Sequence, residues 1–515
     1  MSKPPRLIII SNRLPITIVN KEGSLLVQPG SGGLVTALAP VLRDRGGMWI
    51  GWTGTADVPE ADIQRLMHEQ KSSVGFSLVP VLLSKEEVGQ YYHGFSNEIL
   101  WPLFHDLQSQ CHFVPSYWQA YQQVNHKFAE ATAKHSTPED IIWVHDYHLI
   151  LMGQELRKLG IQSKISFFLH IPFPPLDIFL KLPWRFQILR ALLDFDFVGF
   201  QTARDLRNFI QCVRTLLKDV FITTVNGFHQ CKVGQREMRV GPFPISIDYK
   251  EFASMASNKE VSDGAWHIHE KLPNRQLIFS VDRLDYTKGI PYRLEAIRTL
   301  LTQHPELHTK VTFFQVVVPS RIEVPKYQAL KTEIDELVGT INSQFTQAGW
   351  VPIHYMFRSL TKVELLSFYR TAEIALITPL KDGMNLVAKE YVASNIEENG
   401  VLILSEFAGA ASQLHGEAIL VNPYDVEGVA NAIHKAVAMP QEERKSRMKK
   451  MRRNIKRYDI FWWVRSFLRA AASKEIVDFP LVLEYTPTDQ PTTTERKAAT
   501  AAENGLNENS HIALR

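Results

Sequence analysis

Short apolar runs, too short for helices and without polar alternation, recur along this chain and dictate most of what it can become. They are LIII at 7–10, IIWV at 141–144, ISFFLH at 165–170, FVGFQ at 197–201, LIFSVD at 277–282, VTFFQVVV at 311–318, IHYMF at 353–357, IALITPL at 374–380, VLILS at 401–405 and AILVNP at 418–423. A strand that is apolar on both faces must be covered on both faces, and helices are the covering a parallel sheet supplies. Helical stretches lie between the runs, among them DIFLKLPWRFQILRALL at 177–193 and IPYRLEAIRTLLTQHP at 290–305. The pattern predicts an α/β protein of the doubly wound type.

A chain of 515 residues is too long for one ordinary core. At FPISIDYKEFASMASNKEVSDG (243–264) a strand-like stretch ends, a polar stretch follows, and a new strand series begins near Leu277. Two α/β halves of similar size are expected, 1–248 and 249–456. The stretch 441–471 reads as helical and basic on one side. Its cluster KSRMKKMRRNIKR (445–457) reads as a solvated helix face, because Met and Ile interleave at helical spacing. The tail 485–515 is rich in Thr, Ala, Glu and Asn, lacks periodicity, and is expected to be disordered. A net charge of +3 is too close to neutrality to argue for a nucleic-acid partner. Cys111, Cys212 and Cys231 are odd in number and lack metal-ligand spacing, as for free thiols in a reducing compartment. The start, MSKPPRLIIISNR, reads as a buried strand rather than a signal peptide. No apolar run approaches the roughly 18 residues of a membrane span. The expected location is the cytoplasm.

Five segments carry residues suited to chemistry. In QPGSGGLVTALAPVL (28–42) a glycine-rich turn around Gly32 and Gly33 leads into an amphipathic helix, whose N–H groups suit a phosphate; an ordinary tight turn is equally open. In SVDRLDYTKGI (280–290) Arg283 and Lys288 lie in the loop after a strand, where ligands of parallel sheets bind. Two cations there suit a diphosphate and can neutralise a leaving group without a metal; a salt-bridged surface loop is the alternative. In TPLKDGMNLVAKEYVAS (378–394) Asn385 is a plausible N-cap, so backbone groups of Gly383, Met384, Asn385 and Leu386 can face a phosphate or sugar hydroxyls. Asp382 and Glu390 can grip sugar and ribose hydroxyls, unless the segment is only a capped helix with an exposed Glu. WVHDYHLILMG (143–153) and FFLHIPFPP (167–175) carry His145, Asp146, His148 and His170. A metal reading is disfavoured because these residues sit on two strand ends with no further ligand cluster. His170, pinned by the following prolines, suits a sugar contact better. In YYHGFSNEILWPLFH (91–105) Tyr92 and Trp101 can stack on a sugar face or belong to a core aromatic cluster.

The strings SNRLP, SGGL, FSNEILWPLFH, IIWVHDYHL, FFLHIPFP, VGFQT, VDRLDYTKG, PLKDGMNLVAKEY, LSEFAGAA and VNPYD occur in this order between residue 11 and about residue 470. Together they resemble the trehalose-6-phosphate synthases, the retaining glycosyltransferases of family 20. The resemblance implies two Rossmann-like domains facing across a cleft (the GT-B arrangement), with a final helix, about 457–472, crossing back over the first domain. It implies a glucose-6-phosphate pocket of Arg13, Tyr92, Trp101, Asp146 and Arg321. Gly32 and Gly33 would lie against the donor diphosphate. Arg283 and Lys288 would hold that diphosphate, and Glu390 the ribose. His170 and the Asp382–Asn385 loop would hold the donor glucose, with Leu386 and Val387 in the same donor set. His170, Arg283, Lys288 and Asp382 are the implied catalytic group.

The implied reaction transfers glucose with retention from UDP-glucose to glucose 6-phosphate, as in trehalose biosynthesis and osmoprotection. No cofactor or metal is expected. A homo-oligomer, dimer or tetramer, is implied; a nucleic-acid or membrane partner is not. A glucosylglycerol-phosphate synthase, which takes glycerol 3-phosphate as acceptor, is the near alternative, and a pseudo-glycosyltransferase a more remote one. A non-catalytic sugar-phosphate-binding regulatory subunit is the alternative from another class. A nicotinamide oxidoreductase would need a GxGxxG after a strand, which the chain lacks. The donor base stays open between UDP, GDP and ADP.

Overall fold

Every residue from Leu7 to Asn12 in the first strand is buried, so this strand lies inside the molecule rather than along a wet edge. In the computed structural model, which describes residues 5–21, 24–30, 33–56, 58–225, 228–322 and 324–472, it is the third strand of a nine-stranded sheet. The strand order is Ser77–Val81, Gly47–Trp52, Leu7–Arg13, Ile141–His145, Lys164–Phe168, Phe197–Phe200, Arg236–Pro242, Phe228–Val233, Val220–Val225. The first seven are parallel; the last two extend the sheet as antiparallel neighbours. A second sheet is parallel throughout, in the order Ile353–Phe357, Val311–Val318, Gln276–Arg283, Ile374–Ile377, Val401–Ser405, Ile419–Val421.

Both sheets reverse direction of growth at one strand. From Leu7–Arg13 the chain builds outward to one side, then returns to build from Ile141–His145 on the other. From Gln276–Arg283 it builds through Val311–Val318, then returns to Ile374–Ile377. The crevice beyond the carboxyl ends of such strands is where doubly wound sheets bind ligands. Those ends carry Arg13, His145 and Arg283, the last residues of their strands.

The final helix, Ile460–Ala472, belongs spatially to the first sheet. Phe467 stacks on Trp143, with ring centroids 4.2 Å apart, and meets Phe197 edge-on at 5.1 Å. Trp463 meets Phe168 at 5.0 Å. Gly199 leaves the room: a Cβ there would stand 2.7 Å from the Phe467 ring. Burying each of these rings contributes roughly 1.5–3 kcal/mol, which anchors the returning helix. The helix enters beside the outgoing chain, since Ile460 N–H donates to Ile247 O at 2.9 Å and Trp463 Nε1 to Phe243 O at 3.1 Å.

Two helices expected as continuous are broken. The stretch 177–193 divides into Leu176–Phe179 and Arg185–Leu192, because Pro183 cannot continue a helix. The stretch 441–471 divides at Tyr458 and Asp459 into Gln441–Arg457 and Ile460–Ala472; Asp459 accepts from Trp462 N–H at 2.8 Å. The polar stretch 243–264 carries the helix Tyr249–Ala256 and the start of Lys259–Glu270. The tail 485–515, and Gly32 of the glycine-rich turn, lie outside the described residues. No helix among the described residues is long and apolar enough to cross a membrane.

Candidate active site

A cavity of about 390 Å³ opens where the carboxyl ends of the two sheets meet. Arg13, Tyr92, Trp101, Asp146 and His170 line it from the first sheet's side, and Arg283 and Arg321 from the second's. Three guanidinium groups thus share one small space. Arg13 lies over Trp52 at 4.2 Å and over Tyr92 at 5.6 Å. Its head fits because residue 54 is glycine: a Cβ there would fall 1.9 Å from Arg13 Nη1, on a backbone with φ +91°. Arg321 lies 5.0 Å over Trp101 and donates to Tyr327 Oη at 2.7 Å. Burial raises the Tyr92 phenol, but Arg321 and Arg13 outweigh it and hold the group below its ordinary value. The cavity is electropositive enough to favour an anion.

Tyr92 and Trp101 arrive on an uncommon element. Val88–Leu100 is a π-helix, followed directly by the helix Trp101–Phe104. Such wide helical turns recur at functional sites. Asn97 fixes this one, donating to Tyr92 O at 2.6 Å and accepting from Tyr147 Oη at 2.9 Å. Tyr92 stacks on His148 at 5.8 Å. Trp101 Nε1, His145 Nε2 and both ring nitrogens of His148 are buried without a protein partner. Buried polar atoms are ordinarily satisfied, so these are groups for a polar ligand or water to meet.

Strain concentrates here. Seven non-glycine residues among those described have positive φ, and three of them are Asp146 (75°), Arg321 (49°) and Asn385 (73°). Such conformations cost of order 1–3 kcal/mol and persist where surroundings enforce them. Asp146 accepts from His170 N–H at 3.2 Å, and its own N–H donates to Phe168 O at 2.8 Å. Burial pushes its carboxyl up to about 7, against backbone N–H groups of Tyr147, His170 and Ile171. The sign of the linkage follows. Between the ordinary value of 3.8 and about 7 the unfolded chain ionises while the folded one keeps its proton, so folding stability falls as pH rises through that window. Asp146→Asn should remove this slope. Denaturation midpoints of both proteins across the window should diverge in the variant's favour as pH rises; parallel curves would refute the assignment.

His145 Nδ1 and His170 Nε2 are 3.1 Å apart. Burial lowers both, His170 to about 3, so each is a neutral imidazole at physiological pH. The loop after His170 is held by Asp205, which accepts from Phe173 N–H at 2.9 Å, and by Asn208, which donates to Phe173 O at 2.9 Å.

Beside the cavity, Lys288 donates to Asp382 Oδ2 at 2.6 Å. Burial disfavours both charges, but their attraction prevails, raising the ammonium and lowering the carboxyl. Asp382 also accepts from Asn385 Nδ2 at 3.2 Å, and Asn385 caps the helix Leu386–Ser394 by accepting from Ala388 N–H at 3.1 Å. Met384 is buried in this loop, while Leu386 and Val387 are half-buried at the helix start. Glu390, a turn further on, accepts from Tyr369 Oη at 3.0 Å. Gly33 opens the helix Gly33–Arg45 after the antiparallel hairpin Ile16–Lys21 and Ser24–Pro29.

Four supporting residues escaped the sequence reading. Arg293, fully buried, donates to Thr378 Oγ1 at 3.0 Å, Asp282 at 2.5 Å, Gln315 at 3.1 Å and Lys288 O at 3.2 Å, fixing the loop that carries Arg283 and Lys288. Asp285 accepts from Thr287 N–H at 3.0 Å and lies 3.9 Å from Arg321. Gln201 accepts from Ile245 N–H at 3.0 Å and donates weakly to His170 O at 3.4 Å. Gly54 makes room for Arg13. Asp285 alone had a local signal, an acidic residue two before a threonine in a turn.

Two facing, mainly parallel sheets, with cations from both converging on one cleft, are the arrangement of a GT-B glycosyltransferase. A model of glycosyltransferase family 20 matches residues 5–473, and the chain belongs to that family. It is 42% identical over 471 residues to a trehalose-6-phosphate synthase of Mycobacterium sp. (strain JLS), covering 90% of this chain and 96% of that one. Among solved structures it resembles an α,α-trehalose-phosphate synthase (UDP-forming) from Burkholderia xenovorans in complex with glucose-6-phosphate, with TM-score 0.81, 34% identity, and coverage of 91% and 100% of the two chains. An E. coli structure bound with UDP-2-fluoro glucose matches with TM-score 0.80 and 36% identity, covering 90% of this chain and 98% of that one.

Proposed function

We propose that this enzyme is an α,α-trehalose-phosphate synthase, moving glucose with retention from UDP-glucose to glucose 6-phosphate. The observation that carries the reading is the meeting of Arg13, Arg283 and Arg321 in one cavity lined by aromatic rings. Arg13 and Arg321 clamp the acceptor phosphate, a task suited to guanidinium forks. Tyr92 and Trp101 cover the acceptor sugar, and Asp146 accepts from its hydroxyls. Gly32, Gly33, Arg283 and Lys288 take the donor diphosphate, and Glu390 the ribose. The loop Asp382–Asn385, with Leu386 and Val387, takes the donor glucose and the start of the nucleotide.

Retention follows from displacement on one face of the donor sugar. The anomeric carbon–phosphate oxygen bond breaks, the acceptor hydroxyl oxygen bonds to that carbon on the same face, and its proton passes to the departing phosphate oxygen. Arg283 and Lys288 neutralise the charge of the leaving diphosphate, so the route calls for no metal. The carbonyl of His170 faces the developing positive charge on the ring. Segments 1–248 and 249–456 act as the two domains, closing to align the partners.

The test is a product assay with UDP-, ADP- and GDP-glucose offered against glucose 6-phosphate and glycerol 3-phosphate. The reading expects trehalose 6-phosphate from UDP-glucose and glucose 6-phosphate. Nucleotide release without a disaccharide phosphate would overturn it. Arg321→Ala should raise KM for glucose 6-phosphate about 10- to 100-fold, the worth of a charged hydrogen-bond pair, with less effect on KM for the donor. An unchanged acceptor KM would misplace the clamp.

A further inference from the structure

Lys389, only 1% exposed, lies in the helix Leu386–Ser394 one residue before Glu390. Glu390 meets Tyr369, whereas Lys389 reaches out of its own sheet's layer. Its Nζ donates to Ile245 O at 2.6 Å and to Gln413 Oε1 at 2.7 Å. Ile245 belongs to the segment 243–248, by which the chain leaves the strand Arg236–Pro242 of the first sheet and reaches the helix Tyr249–Ala256. The bond to Ile245 therefore ties a helix of the second sheet to the crossing between the two.

The same residue is tied to the first sheet. Ile245 N–H donates to Gln201 Oε1 at 3.0 Å, and Gln201 Nε2 reaches His170 O at 3.4 Å. Ile245 thus accepts from Lys389 on its carbonyl and donates toward the His170 side on its amide. The returning helix holds the segment at two further points, with Trp463 Nε1 on Phe243 O and Ile460 N–H on Ile247 O. A crossing pinned in this way transmits a displacement from one side to the other rather than absorbing it.

Space filling does not account for a lysine here. Burial pushes its ammonium down to about 7, and no carboxylate among the described residues pairs with it. A methionine would fill similar space without desolvating a polar head. What the amine supplies is a hydrogen for each of two acceptors, in either protonation state.

We propose that Lys389 is a positioning residue for the transfer step, its bond to Ile245 setting the register between the donor-glucose ligands of the second sheet and the His170 carbonyl of the first. The inference rests on loop 382–385 and His170 being those ligands. Lys288 and Glu390 have partners of their own in Asp382 and Tyr369, so nucleotide binding does not depend on Lys389. Alignment of the reacting atoms does.

The test measures trehalose 6-phosphate formation by wild type, Lys389→Met, Gln201→Leu and their double variant, with UDP affinity from calorimetry. Failure of the underlying reading would show in the wild-type protein, as absence of the disaccharide phosphate. Lys389→Met should lower kcat about 10- to 100-fold, with KM for UDP-glucose and Kd for UDP within about threefold of wild type. Gln201→Leu should also lower kcat, and the double variant should fall within about threefold of the worse single, because both act through Ile245. Gln413→Met removes the other bond of Lys389 and keeps the one to Ile245; it should lower Tm by about 2 °C or more and hold kcat within about threefold of wild type. Lys389→Gln, a shorter polar chain, carries the same kinetic readouts should Lys389→Met fail to fold. Wild-type kcat in the Lys389 variant, a loss of UDP affinity matching the loss of kcat, multiplied losses in the double variant, or an equal kcat loss in Gln413→Met would each overturn the proposal.

Discussion

Arg283→Ala should lower kcat about 100-fold or more while leaving Tm where it was, and Lys288→Ala should lower kcat at least as far. The unchanged Tm of Arg283→Ala rests on exposure. Arg283 ends its strand with its side chain exposed in the cleft, so truncation removes charge from the cavity without opening a void in the core. The fall in kcat rests on where charge develops. The donor diphosphate gains charge as the sugar leaves, and a fixed cation there stabilises the transition state more than the ground state. Removing one such group from a preorganised site commonly costs 10²–10³ in rate, about 2.7–4 kcal/mol. The loss should therefore fall in kcat, with KM for the donor changing less. Lys288 differs in one respect. Its ammonium pairs with Asp382, and both side chains are mostly buried at 13% and 16% exposure. Truncating it leaves an uncompensated carboxylate, so a fall in Tm should accompany the fall in rate. The two variants separate a purely electrostatic role from one that also holds the loop. Near-normal turnover in both would remove the diphosphate assignment.

The parallel sheets were legible because burial on both faces writes itself into composition: LIII, VTFFQVVV and VLILS all became buried strands. The N-cap at Asn385 was legible for a similar reason, since capping is a property of four consecutive residues. Spacing within DRLDYTK put Arg283 and Lys288 in one loop, but nothing local pairs Lys288 with Asp382, 94 residues on. The same limit hid Arg293, whose four bonds reach two strands and two loops. The π-helix Val88–Leu100 left no periodic signal, because its sequence is compatible with an ordinary helix and tertiary bonds, from Tyr147 to Asn97 and from Tyr91 to Asn12, select the wider turn. Backbone strain at Asp146 and Arg321 is likewise imposed from outside; neither residue type demands positive φ. The break near residue 183 was legible in Pro183 and was outweighed by the apolar periodicity around it.

Gly383→Ala should abolish most activity without unfolding the protein. A Cβ at this position would lie 2.2 Å from His170 O and 3.1 Å from Ile171 Cα, and backbone so placed cannot step aside as a side-chain tip does. Gly383 also backs onto Gly409, where a Cβ would stand 2.0 Å from Gly383 O. The loop is held there by hydrogen bonds from Gly409 N–H to Asp382 O at 3.0 Å and from Ala410 N–H to Met384 O at 2.7 Å. The Asp382–Asn385 loop of the second sheet is thus wedged between its own neighbour and the His170 segment of the first. A methyl group at 383 must push these layers apart by about 1 Å to reach an ordinary contact, and a displacement of that size costs about 100-fold in rate when reacting atoms must align. Stability should change little, because the Cβ meets an inter-sheet contact rather than either sheet's core. Crosslinking across the cleft, where Lys381 pairs with Asp106, reports the separation directly. The expected result is a Tm within about 2 °C of wild type, a kcat/KM lower by about 100-fold, and a crosslink formed more slowly. Wild-type turnover in Gly383→Ala would show that contact between the Asp382–Asn385 loop and His170 is not needed for the reaction.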